Sequence, residues 1–262
     1  MVAQLRSTAD AGSVQLLGKA ERKEDTTILT TRPDQVSGMF FSQPIDPEKS
    51  FRVRLHFRLT TPPGSQGADG IALVFSSEMK LGGGGFGLGY DGIGKDGDFA
   101  IEGELALAGA RRSHAVDTFC SYDHAEDPAV PHVSLHSPPR AHHRSSITCT
   151  KPGAVPVVND GRAYTLQAVY DFSSRTVTSH LDISGEAVKL GLWTAVVPPP
   201  SGSSGVPWFV GVTAATGGHW QKVSWAFQSS DARLIAQQEV LSLTVDEIIL
   251  EEPASDRVDQ PT

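Results

Sequence analysis

The chain has 262 residues, a formal net charge of -8 and 39% hydrophobic residues, with 26 Gly and 17 Pro. That length accommodates one large all-β domain or two small ones, and the glycine and proline content points to many turns. The acidic balance argues against nucleic acid as a partner, because phosphate binding requires a basic face, and no apolar run approaches the roughly 20 residues of a membrane-spanning helix. The two cysteines, Cys120 and Cys149, suit either one disulfide or two free thiols and so do not fix the compartment.

In chain order, residues 1–12 are polar and are expected to fray. They lead into no continuous apolar core with a small-residue cleavage site, so no signal peptide is expected. The protein is then cytoplasmic, or, if this N-terminus is incomplete, extracellular or of the secretory pathway. From Val14 onward short apolar runs alternate with polar turns. Phe51 to Leu59 alternates apolar and polar side chains, which predicts a strand with one buried face and one basic, wet face. Ile71 to Phe75 is apolar on both faces and predicts a central strand. Gly82 to Tyr90 is a glycine-rich loop, and the alanine-rich residues 103–116 carry helical propensity among strands. Residues 164–170 and 175–182 predict a hairpin. Residues 206–212 read as a strand, 213–220 as a loop, 223–227 and 241–245 as further strands, and 251–262 as a polar tail. Many short strands, frequent turn signals and almost no amphipathic helix predict one antiparallel β-sandwich over residues 13–250.

The chemistry concentrates in residues 117–132, where Asp117, Asp123, Glu126 and Asp127 precede His132. Carboxylates, a backbone carbonyl and a small polar side chain suit a hard cation such as Ca2+. A carboxylate with a histidine nitrogen suits a transition metal such as Mn2+. The same stretch also reads as a plain acidic surface loop. Asp69 before Gly70 reads equally as a turn residue, His132 as a strand-end histidine, and His136, His142 and His143 as solvated. Gly82 to Gly85 lacks the flanking helix and lysine that a phosphate cradle requires. Trp208 and Trp225 read as core.

In this order the motifs resemble the legume-type (L-type) lectin family. They are Gly67-Ala68-Asp69-Gly70 leading into Ile71 to Phe75, the glycine-rich Gly82 to Tyr90, Asp117-Thr118-Phe119 with Asp127-Pro128 and His132-Val133, and Val210 to Gly217 leading to Val223 to Phe227. The resemblance implies a concanavalin A-like jelly-roll sandwich that binds glycans or glycoproteins without catalysis, and a homodimer would be in keeping with it. It implies that Asp69 accepts hydrogen bonds from two sugar hydroxyls, that a Gly84 or Gly85 amide donates to one of them, and that Phe119 stacks on the sugar. Trp220 and Gly218 fall in the family's fourth sugar-site loop, and Trp220 reads equally as packing. Metal ligation is implied for Asp117, Asp127, the Phe119 carbonyl and His132, with Ca2+ and a transition metal side by side.

The chain departs from the family in two places. Ser121 stands where the family has an asparagine that touches both Ca2+ and sugar, and Asp123 is then the substitute ligand. Ala115 stands where a glutamate is expected two residues before Asp117. Glu102 restores that spacing if residues 103–116 are an insertion, read as an extra loop or as a retained non-coding piece of the gene. Two rivals stay open. One is a degenerate lectin-fold module used for protein interaction or structure. The other is a sandwich glycoside hydrolase using Glu102 and Glu104, whose alternate spacing puts two carboxylates on one strand face.

Overall fold

The computed structural model describes residues 14–24, 26–60, 69–93, 98–104, 132–136, 146–151, 154–155, 160–183, 189–197, 206–216 and 237–247. The described strands are β1 (Val14–Gly18), β2 (Glu21–Lys23), β3 (Thr26–Thr30), β4 (Val36–Phe41), β5 (Phe51–Thr60), β6 (Gly70–Ser76), β7 (Phe99–Glu104), β8 (His132–His136), β9 (Ser146–Cys149), β10 (Asp160–Asp171), β11 (Thr176–Ile183), β12 (Lys189–Val196), β13 (Phe209–Ala215) and β14 (Gln237–Glu247). They form two seven-stranded antiparallel sheets. The first has the order β1-β4-β13-β6-β7-β8-β9 and the second β12-β11-β10-β5-β14-β3-β2. Among the described residues no helix is long and apolar enough to cross a membrane.

Alternation decides which face each strand buries. In β5, Phe51, Val53, Leu55, Phe57 and Leu59 are buried, while Arg52, Arg54, His56 and Arg58 are partly exposed on the outer face of the second sheet. There Arg54 Nε donates to Gln167 Oε1 at 3.3 Å, and His56 Nδ1 lies 2.9 Å from Thr165 Oγ1. Strand β6 is buried at every position, as a central strand must be. Ile71, Leu73 and Phe75 face the inter-sheet core, and Ala72 and Val74 join a second apolar cluster with Phe40, Leu88, Tyr90, Ile93 and Ala100. The first sheet is therefore apolar on both faces.

An aromatic knot joins the two sheets. Phe51 on β5 stacks on Phe75 of β6 with centroids 5.6 Å apart, Tyr170 of β10 stacks on Phe99 of β7 at 6.3 Å, and Trp208 meets Tyr170 edge-on at 5.5 Å. Trp208 is core, as the sequence implies; Trp225 lies outside the described residues. Several strand boundaries differ from the sequence reading, and two differences bear on the site. Strand β13 begins at Phe209 and runs through Ala215, because Thr213, Ala214 and Ala215 pair with β4 on one side and β6 on the other. Strand β7 continues past Glu102, with Gly103 and Glu104 paired to Val133 and His132.

Two predictions follow from this packing. A Cβ on Gly211 would collide with the Phe40 ring, which is fully buried. Gly211→Ala should cost roughly 1–3 kcal/mol of stability through overpacking, read as a lower urea midpoint; an unchanged midpoint would mean that the ring swings clear. Burial, reinforced by the Arg58 guanidinium, holds His56 below the ordinary histidine pKa of 6.5, and a hydrogen bond with the Tyr164 backbone opposes this only in part. The unfolded chain then takes up the His56 proton first. Stability should therefore fall as pH drops from 6.5 toward the depressed folded value. His56→Gln should flatten that segment of the pH–stability curve, and superimposable curves would refute the assignment.

Candidate functional site

Antiparallel pairing brings five strand ends of the first sheet to one edge. Val36 opens β4 opposite Ala215, which closes β13, and Gly70 opens β6 opposite the same Ala215. Gly103 pairs with Ile71, and Glu104, which closes β7, pairs with His132, which opens β8. Asp69 extends this edge by donating its backbone N–H to the Ala215 carbonyl at 3.1 Å. Glu104, His132 and Thr216, the described residues that flank 105–131 and precede 217, all stand at this end.

The glycine-rich loop covers the outer face of the sheet just behind that edge. It is laced to itself by Gly82 N–H to the Gly89 carbonyl, Gly89 N–H to the Gly83 carbonyl and Gly83 N–H to the Asp91 carbonyl, each at 2.8 Å. Residues Gly85–Gly87 form one 3-10 turn. Gly85 has φ +60°, and a Cβ there would meet nothing within 4 Å. This is a backbone position that glycine alone adopts freely, with open space before it. A Cβ on Gly84 would touch Val36 Cγ2 at 2.9 Å, and one on Gly89 would crowd Thr213 and Val36 at 3.1 and 3.2 Å. The loop thus sits directly over β4 and β13.

The third part of the edge is the turn at residues 31–35. Gln35 Oε1 accepts the backbone N–H groups of Thr31 and Arg32 at 2.7 and 2.9 Å. Thr216 N–H donates to the Gln35 carbonyl at 2.9 Å, Gln35 N–H donates to Thr216 Oγ1 at 3.0 Å, and that hydroxyl donates to the Arg32 carbonyl at 2.6 Å. No local sequence pattern marks this turn, whose bonds depend on Thr216 far along the chain.

Of the residues named from the sequence, Asp69 stands at this edge beside Ala215, and Gly84 lies over Val36, which opens β4 at the same end. His132 is fully buried at the start of β8, on the face opposite Val133 and Leu135, with Ser134 and His136. His136 Nε2 lies 2.8 Å from Ser134 Oγ and its ring packs near Tyr90, so His136 is buried rather than solvated as the sequence reading expects. Glu102 stands in register with Ala72 and Ser134. Asp117, Phe119, Ser121, Asp123, Asp127, Gly218 and Trp220 lie outside the described residues, as do His142 and His143. Cys149 carries a free thiol whose Sγ is 3.4 Å from the Thr150 carbonyl. Among the described residues no group of three or more His, Cys, Asp or Glu side chains is placed to hold a metal.

At the opposite end of β6, the buried Asp98 carboxylate accepts from Ser77 N–H and from the hydroxyls of Ser76 and Ser77 at 2.9 to 3.3 Å. This carboxylate secures a turn far from the Asp69 edge.

By sequence alone, no family model and no curated protein matches the chain. In structure it is similar to basic winged bean lectin with Tn-antigen, with a TM-score of 0.64 and 16% identity over 90% of this chain and 92% of that one. It is similar to the metal-free form of lectin I-B4 from Griffonia simplicifolia, with a TM-score of 0.65 and 15% identity over 93% of this chain and 97% of that one. It is also similar to the Ca2+/Man3GlcNAc-bound exoplasmic/lumenal domain of VIP36, with a TM-score of 0.61 and 13% identity over 94% of this chain and 88% of that one. Identities this low speak to architecture and leave the chemistry to the residues of the site. The chain has the concanavalin A-like antiparallel β-sandwich of the legume-type lectins.

Proposed function

We propose that the protein is a glycan-binding lectin that recognises sugar hydroxyls at the Asp69 edge and carries out no catalysis. The observation that supports this is that Asp69, Glu104, His132 and Thr216 stand at one end of the first sheet, with the glycine-rich loop over Val36 at the same end. A carboxylate is acceptor-only and suits a pair of sugar hydroxyls, and a glycine turn lets backbone amides approach a ligand without a side chain in the way. Asp69 would accept from the sugar, with a Gly84 or Gly85 amide donating to it and Phe119, Ser121, Gly218 and Trp220 completing the contacts.

The donor chemistry also suits cations. Asp117, Asp123, Asp127, Ser121 and the Phe119 carbonyl would supply oxygen ligands for Ca2+, and His132 with Glu102, on adjacent strands, would be the candidates for a transition metal. Bound cations would fix the 105–131 segment against the edge. The likeness to lectins, among them a Ca2+-bound lumenal domain, supports a Ca2+-dependent glycan binder of the secretory pathway or extracellular space. Ser121 and Ala115 favour the alternative of a lectin sandwich that has lost its sugar site.

A thermal melt in Ca2+, in Ca2+ with Mn2+ and in chelator, each with simple sugars added, tests the reading. A ligand at a hundredfold excess over Kd stabilises the fold by about 2.7 kcal/mol, so both Ca2+ and a cognate sugar should raise Tm by several degrees. Asp69→Ala should lose the sugar-dependent rise and keep the Ca2+-dependent one. A melt indifferent to metal, chelator and sugar would overturn the proposal in favour of the degenerate module.

A further inference from the structure

We infer that the turn at residues 31–35 is a second saccharide subsite beside Asp69, and that Arg32 makes it selective for an anionic sugar unit bearing a carboxylate or sulfate. The inference deepens the glycan-binding reading and rests on it. In the first sheet β4 is separated from β6 by β13 alone, so the residues that open β4 and β6 lie two strand spacings, roughly 10 Å, apart along the edge. That is about two sugar units along a glycan, and the long Arg32 side chain can close the difference to the unit next to the one at Asp69. Ala215 and Thr216 link the two positions, Ala215 through the Asp69 N–H and Thr216 through Gln35, and Gly84 lies over Val36 beside them.

The turn is built to hold a side chain out to solvent in a fixed place. Both backbone polar groups of Arg32 are tied, its N–H to Gln35 Oε1 and its carbonyl to the Thr216 hydroxyl. Thr216 is itself only 2% exposed and anchored to the end of β13. Ordering the Arg32 side chain on a ligand therefore costs rotamer freedom and no backbone entropy. Asp34 is held at φ 56°, a left-handed conformation that aspartate tolerates better than most residues. The Arg32 side chain is exposed, and among the described residues no carboxylate pairs with it, Asp34 included. An exposed arginine with no carboxylate partner among the described residues, on a turn whose backbone is tied, offers a cation to a ligand. Its planar fork of donors matches a carboxylate or a sulfate in two-point geometry.

The test is calorimetric titration of the Ca2+-loaded protein with matched disaccharides built on mannose, galactose or N-acetylglucosamine. Each is offered as the neutral form, as the 6-sulfate and with a uronic acid as the second unit. The parent chain should bind one anionic form on the order of tenfold more tightly than its neutral match at low ionic strength, the size expected of a charge-assisted contact. That preference should shrink with added salt. Arg32→Ala and Arg32→Gln should erase the preference while leaving the affinity for the neutral disaccharide and the Tm unchanged, and the sulfate and uronate arms identify which anion is read. Asp69→Ala should lose all forms together. Neutral and anionic forms bound alike by the parent, or a preference that survives in both Arg32 variants, would overturn the subsite and leave the lectin reading standing. Absence of binding to every disaccharide would overturn both.

Discussion

A buried backbone amide or carbonyl must find a partner, and this requirement at the end of β13 organises the candidate site. Within the strand, β4 and β6 supply the partners. Past Ala215 the ladder runs out, and the remaining groups turn to whatever chain lies beside them. The Ala215 carbonyl takes the Asp69 N–H, the Thr216 N–H goes to Gln35, and the Thr216 hydroxyl bridges Gln35 to Arg32. Three segments remote in sequence become one edge because one strand has to be finished off.

The two faces of the first sheet do different work. The inner face carries the large core and the aromatic knot, which lock the sheets together. The outer face carries a smaller apolar cluster roofed by the glycine-rich loop. That roof sets Gly84 over Val36 at the edge, and its glycines answer to backbone crowding over Val36 and Thr213. At the far side of the same sheet Val133 is held from three directions. Its N–H donates to Thr150 Oγ1, and its carbonyl accepts both Thr150 N–H and the Trp193 indole N–H, at 2.9 to 3.1 Å. The Trp193 bond comes from the edge strand of the other sheet, so the residue after His132 is stitched across the sandwich.

Sequence pattern alone was enough for β5 and β6, since strict alternation and an unbroken apolar run are signals local to the strand. That Gly82 to Tyr90 forms a turn-rich loop was also legible, because a run of glycines leaves few other options. The limits are physical. Thr213-Ala214-Ala215 looks like loop by composition and becomes strand only because it is flanked on both sides. His136 reads as a wet histidine until the glycine-rich loop covers it. The turn at residues 31–35 was invisible because its partner Thr216 stands 181 positions from Gln35, and no local pattern encodes that meeting.

The position of β13 also sets the order in which this protein can be made. The β10–β11 hairpin needs only neighbouring residues and can close early. The first sheet cannot. Until β13 is available, β4 and the wholly buried β6 have no strand between them, and pairings of such long sequence separation are slow to form. On the ribosome these two strands emerge long before residue 209, with unpaired and greasy edges that invite association with other chains. The edge that holds Asp69, Gln35 and Thr216 is therefore assembled late, and a chain truncated before β13 would expose an aggregation surface in place of a binding site.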